Sequence, residues 1–166
     1  KDEVMRLQNV GYEPALRELW IVYEKKIDAW EDGCFMAWLG DKAVGYLFSH
    51  PWNSTAPVPL NDSTFVLPDK LDCYYIHDIV VDKSVRGKGI AKKLLLCSTN
   101  EMKKLQFEIM ALVAIGDAAS FWEKFGFKEP NAHTTTSSTS TTACVGHGYP
   151  EDVPSQYMVA QNPCFE

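Results

Sequence analysis

Arg86-Gly87-Lys88-Gly89 is the stretch of this chain best suited to grip a ligand. Its two glycines let the backbone turn tightly and remove the Cβ atoms that would hold a ligand away from the amides. Arg86 and Lys88 add full positive charges beside them. Upstream, Tyr75, Ile76, Ile79, Val80 and Val81 form a short β-branched and aromatic run that suits a strand buried on both faces. Downstream, Ile90, Ala91, Leu94 and Leu95 recur at helical spacing. A helix in that position aims free N–H groups and the positive end of its dipole at the glycine turn, so a phosphate group is the natural occupant. A solvated basic turn is the plainer alternative.

The residues discriminate among phosphate ligands. No G-x-x-x-x-G-K-[ST] string occurs, which sets a Walker loop aside, and Lys92 stands where a dinucleotide fingerprint needs its third glycine. What does match is R-x-x-G-x-A, as Arg86, Gly89 and Ala91. This resembles the pyrophosphate-binding motif of the GCN5-related N-acetyltransferase (GNAT) family, which binds acetyl-coenzyme A. Phe121-Trp122-Glu123-Lys124-Phe125-Gly126-Phe127 is similar to that family's F-Y-x-K-x-G-F segment.

The rest of the chain must position this turn. Its 166 residues, 46% apolar, suit a single domain over 1–166 and exclude a disordered chain. A formal charge of −6 argues against nucleic acid as a partner and favours a cationic amine. The five cysteines, Cys34, Cys73, Cys97, Cys144 and Cys164, are odd in number and lack C-x-x-C spacing, so no disulfide framework or metal site is indicated and a reducing cytoplasm fits. No apolar run approaches the roughly 18 residues needed to span a membrane, and no signal-peptide pattern opens the chain. A soluble, cytoplasmic protein is expected, and the oligomeric state is left open.

Along the chain, Val4, Met5, Leu7 and Gln8 predict a first helix broken at Gly11, and Leu16, Leu19, Trp20, Tyr23, Ile27 and Trp30 predict a second over about 14–31. Cys34–Leu39 and Ala43–Ser49 read as strands joined at Gly40-Asp41-Lys42. Four prolines make residues 51–71 an irregular excursion. Phe107 to Val113 predicts another buried strand, Asp117 the cap of a short helix closed by Gly126, Thr134–Thr142 a polar loop, and Tyr157-Met158-Val159 a last strand.

The resemblance covers about residues 30–160 and implies an α/β fold, a mixed, mostly antiparallel sheet with splayed central parallel strands and about four helices. Family members commonly begin with a strand, so the first strand is expected to be missing here or replaced. The splayed pair would be about 73–82 and 107–113, with Ile79, Val80 and Val81 offering backbone groups to the pantetheine. Arg86, Gly87, Lys88, Gly89, Ile90 and Ala91 would hold the pyrophosphate, and Phe121 and Lys124 would approach the far end of acetyl-coenzyme A. Backbone N–H groups near Ile79 or Val80 would stabilise an oxyanion. The helical stripe makes Tyr23 and Trp30 core aromatics first of all; the alternative is that, with the first two helices and their connection forming one wall of the acceptor site, Tyr23 or Trp30 touches substrate. Trp52 would cover the acceptor pocket or anchor its loop.

Attack on a thioester needs a neutral amine, so a base must take one proton. Where many family members carry Glu, this chain has His77, and an imidazole, titrating near 6.5 in the unperturbed state, suits the task. The competing reading is a core histidine satisfied by a carbonyl. Asp78 should face the opposite side of the strand unless a bulge intervenes. The family's usual acid is missing, because Trp122 replaces its Tyr and Ile115 its Asn, which leaves Tyr75, Tyr149 or Tyr157 as substitutes, or departure of the thiolate into solvent. The expected activity is acetyl transfer to a primary amine, on a small molecule or a peptide, by direct transfer in a ternary complex. A catalytically silent coenzyme A-binding module is the alternative.

Overall fold

The computed structural model describes residues 1–130 and 147–165. The apolar runs become five strands: β1 (Cys34–Leu39), β2 (Lys42–Trp52), β3 (Cys73–Val81), β4 (Ile109–Ile115) and β5 (Ser155–Gln161). They lie in one sheet in that order, antiparallel throughout except for β3 and β4, which run parallel. Four α-helices accompany them among the described residues: α1 (Asp2–Gly11), α2 (Trp20–Ala29), α3 (Ile90–Lys104) and the short α4 (Ala119–Glu123). The parallel pair needs a long crossover, and α3 supplies it. This is the mixed, mostly antiparallel α/β sheet expected from the resemblance.

The helices cover both faces. Leu94, Leu95 and Met102 of α3 and Trp122 of α4 bury against Leu47, Tyr74, Ile76 and Leu112 on one side. Val4 and Leu7 of α1 and Tyr23 of α2 bury against Tyr46, Phe48 and Val80 on the other. The excursion after β2 supplies Val58 and Phe65 to a third cluster with Cys73, Tyr75, Ala111 and Tyr157. Its base is closed by the Asp72 N–H on the Trp52 carbonyl and by the Ser54 N–H on the Asp72 carboxylate.

Several local expectations fail for stated reasons. The single helix over 14–31 is instead a 3₁₀ turn at Pro14–Leu16 followed by α2, with Arg17 and Leu19 extended between them. Gln8 on α1 imposes this break: its Oε1 accepts the Glu18 N–H at 2.6 Å and its Nε2 donates to the Glu18 carbonyl at 3.0 Å. That buried pairing takes the backbone groups a helix would have used. Leu19 is consequently 62% exposed rather than part of a core stripe. Asp117 caps nothing with its side chain, because a 3₁₀ turn at Gly116–Ala118 leads directly into α4. Phe107 precedes the fourth strand, which continues to Ile115. The Thr134–Thr142 run lies outside the described residues. Among those described, no helix is long and apolar enough to cross a membrane.

Candidate active site

The parallel strands do not stay together. β3 pairs with β4 only at Tyr74, Tyr75 and Ile76, opposite Met110, Ala111 and Leu112, although both strands run on. Beyond Ile76 and Leu112 a cavity of about 450 Å³ opens between them. Ile79, Val80 and Val81 line it from one side, Val113 and Ile115 from the other, and Arg86 and Phe121 lie at its edge. With no partner strand over 77–81, the β3 backbone groups turned away from β2 are left to face this space. Gly11 brings α1 to the same wall, where a Cβ would stand 2.9 Å from Val80 Cγ1.

At the cavity's Arg86 end the chain turns from β3 into α3. Asp82 stabilises the turn by accepting the Ser84 N–H at 3.0 Å and hydroxyl at 2.7 Å. Gly87 and Gly89 hold φ of +79° and +74°, and a Cβ built on either meets nothing within 4 Å. Gly89 is the N-cap of the 15-residue α3 without a side-chain hydrogen bond to the first turn. The N-terminal amides of α3 therefore have no side-chain cap, beside open space and the exposed Arg86 and Lys88. These residues fit a pyrophosphate. Ile90 and Ala91 form the first helical turn behind them.

At the other end a bulge reshapes β3. Phe48 pairs with Asp78 but Ser49 pairs with Ile76, so His77 is an inserted residue with no partner of its own. The insertion reverses the alternation of side chains. Tyr74 and Ile76 pack in the same cluster as Ile79 and Val81, an odd spacing, while Asp78 is turned toward α1 and α2. The bulge that would let His77 and Asp78 border one pocket is thus present, and both line the large cavity and a smaller adjoining one of about 40 Å³.

His77 Nε2 lies 2.6 Å from Glu18 Oε2, with the two side chains 2% and 3% exposed. Burial alone would raise the Glu18 carboxyl, but the charge and hydrogen bond of His77, with Lys26 and the Asn61 N–H, outweigh it and hold it at about 2. Glu18 Oε1 accepts that Asn61 N–H at 2.7 Å, tying the excursion after β2 to the site. Asp78 accepts from Tyr12 at 2.5 Å, Tyr46 at 2.6 Å and Tyr23 at 2.8 Å. Burial pushes the Asp78 carboxyl up against these bonds, and burial beside the carboxylate raises all three phenols, which stay protonated donors. With both oxygens so occupied, Asp78 is a brace joining β3 to α1, α2 and β2 rather than a free base.

The sequence-predicted residues distribute unevenly. Tyr23 is fully buried and borders the smaller cavity through its hydroxyl on Asp78. Tyr75 lines neither cavity, because its position before the bulge turns it into the cluster with Phe65 and Tyr157. Trp52 also lines neither; it donates to the Ala56 carbonyl at 3.0 Å and stacks on Phe65, which makes it an anchor of its loop. Lys124, the exposed C-cap of α4, stands outside both. Of the substitute acids, Tyr149 borders the smaller cavity, whereas the Tyr157 hydroxyl is bonded to the Ser54 carbonyl. Glu18 and Tyr12 were not predicted. Both sit in the connection between the first helices, and no spacing rule links either to His77.

Comparison with known proteins gives a consistent picture. The model of the acetyltransferase (GNAT) family matches residues 2–127, which carries the resemblance back from residue 30 to the start of α1. No curated protein matches the chain in sequence. Among solved structures, the loading GNATL domain of CurA from Lyngbya majuscula superposes with a TM-score of 0.75 at 11% identity, covering 97% of this chain and 92% of that one. The NatC complex bound to Gag peptide and CoA gives 0.67 at 14%, covering 96% and 89%. Arabidopsis thaliana Naa50 in complex with the bisubstrate analogue CoA-Ac-MVNAL gives 0.61 at 20%, covering 97% and 93%. At such identities the likeness is one of fold.

Proposed function

Because this chain belongs to the acetyltransferase (GNAT) family, we propose that it is an N-acetyltransferase that moves an acetyl group from acetyl-coenzyme A to a primary amine by direct transfer in a ternary complex. One observation carries this reading. The cavity between the separated strands is lined both by Arg86, where the glycine turn begins, and by His77, whose Nε2 is held by Glu18, so a ligand held by its phosphates at that turn would present its thioester toward a base. Structures of similar fold hold coenzyme A with a peptide, or a coenzyme A–peptide analogue. A peptide N-terminus is therefore one of the acceptors this chain would take, a small-molecule amine the other. A reducing cytoplasm is the location that the five scattered cysteines of the sequence would suit.

Acetyl-coenzyme A supplies the activated acyl group, and the residues do the rest. Arg86, Lys88, the glycine amides and the start of α3 bind the phosphates. Ile79, Val80 and Val81 offer backbone groups along the arm, and the donors among them stabilise negative charge developing on the acyl oxygen. His77 takes a proton from the acceptor amine. Trp122 and Ile115, both at the cavity, hold no transferable proton, so the thiolate leaves toward water or takes its proton from another group at the site.

The test is release of free thiol from acetyl-coenzyme A with a panel of peptides and small primary amines. Acceptor-dependent release is expected. The loss of the usual acid at Trp122 favours a second reading, a silent coenzyme A-binding module, and binding without release across the whole panel would establish it.

A further inference from the structure

Among the described residues one side chain holds His77 by a hydrogen bond, and the way it is held determines which of its nitrogens can act. Glu18 reaches it from the extended segment before α2, an arm fixed by Gln8 through the Glu18 backbone and by Asn61 through Oε1. A carboxylate oxygen 2.6 Å from Nε2 is an acceptor. A lone pair on Nε2 would set two acceptors against each other, so Nε2 carries a hydrogen in the neutral and the charged imidazole alike. The proton that comes and goes is therefore on Nδ1. That atom is buried and has no hydrogen-bond partner among the described residues, although His77 borders both cavities.

We propose that Glu18 is the positioning residue of a Glu18–His77 dyad: it fixes the imidazole by its Nε2–H and makes Nδ1 the atom that takes the acceptor amine's proton. This rests on the acetyltransferase reading above. Nδ1 gains the amine proton as the nitrogen lone pair forms the new C–N bond and the C–S electron pair leaves with sulfur. It then gives that proton to the departing thiolate or to water, which returns the imidazole to neutrality. The carboxylate never changes protonation state; it offsets the positive charge that His77 carries between the two transfers.

The other charged groups around His77 do not compete for it. Asp78, next along β3, spends its oxygens on Tyr12, Tyr23 and Tyr46. His50 on β2, its ring 6.3 Å from that of His77, directs Nδ1 to the Pro51 carbonyl, and burial keeps it uncharged. Lys26 of α2 is buried with Nζ 4.7 Å above the Phe65 ring and no hydrogen-bond partner among the described residues. Burial lowers its pKa, against the pull of Glu18 and of Asp62 and Asp78.

Glu18→Gln and Glu18→Asp test the dyad in the whole chain. The glutamine keeps an acceptor for Asn61, but its amide can turn NH₂ toward Nε2 and trap the opposite tautomer, as removal of a dyad charge does elsewhere. With ¹⁵N-histidine, the expected spectrum shows Nδ1 titrating in the parent while Nε2 keeps its hydrogen. In Glu18→Gln the acidic limb of the kcat profile should move to lower pH by roughly 1–3 pH units, and kcat should fall by about 10²-fold or more. The KM for acetyl-coenzyme A should stay at the parent value, and Glu18→Asp should recover most of the limb position. Turnover in the parent together with a parent-like Glu18→Gln profile, or titration at Nε2, overturns the role of Glu18. Absence of turnover in the parent overturns the acetyltransferase reading itself.

Discussion

The imidazole of His77 is held on β3 by a carboxylate from a distant part of the chain. Glu18 is 59 positions away, and a carboxylate in a segment read as helix gives no sign that its backbone will be pulled straight by Gln8. If His77 takes the amine proton, His77→Ala should lower kcat by about 10²–10⁴-fold. Affinity for acetyl-coenzyme A, measured by calorimetry, should change little, and the acidic limb of the pH–rate profile should vanish. A histidine serving only the core would instead show lower thermal stability with the folded fraction turning over at the parent rate and pH dependence. Tyr75, read as a candidate acid, and Trp52, read as a pocket cover or a loop anchor, line neither cavity. Both are aromatic residues near the right part of the chain, and packing against Phe65 claims both.

Among the elements, those governed by local rules were read correctly and those governed by tertiary contacts were not. The hairpin at Gly40, the strand–turn–helix from β3 into α3 and the last strand all follow from alternation, turn residues and helical spacing. The break at residues 17–19 depends on one buried amide from α1, and the bulge at His77 on a mismatch with β2, neither of which has a sequence signature. The glycine turn gives the prediction at this scale. Since Gly89 sits at φ +74° with open space beside it, a side chain there should strain the backbone and occupy the phosphate position. Gly89→Val should lose acetyl-coenzyme A affinity and also stability, by roughly 1–2 kcal/mol for a branched residue in the left-handed region. Gly89→Asn, which tolerates that region, should lose affinity while melting near the parent temperature. Calorimetry and a thermal melt separate the two effects, and full affinity in Gly89→Asn would mean that this turn does not hold the phosphates.

Over the whole molecule, the sheet is continuous except where β3 and β4 part, and a gap there leaves both apolar side chains and backbone groups without partners. Strand order and splay came from the resemblance; periodicity alone predicts strands but not which neighbours separate. The net charge of −6 belongs to this scale as well, since Arg86, Lys88, Lys92 and Lys93 gather positive charge at the start of α3 against an acidic background. A ligand with phosphates at that end and a chain lying in the gap would bridge strands that pair with each other over Tyr74–Ile76 and then part. Binding to the folded state alone raises stability by about 2.7 kcal/mol at 100 times Kd. In a domain of this size that corresponds to a rise in Tm of roughly 5–10 °C. Amide exchange should report where the gain arises: β3 amides over 77–81 that face the gap should exchange faster than those at 74–76 in the free protein and slow on addition of acetyl-coenzyme A. A Tm unmoved by acetyl-coenzyme A at that excess, or protection confined to the exposed face of α3, would mean that the gap between β3 and β4 is not where the ligand lies.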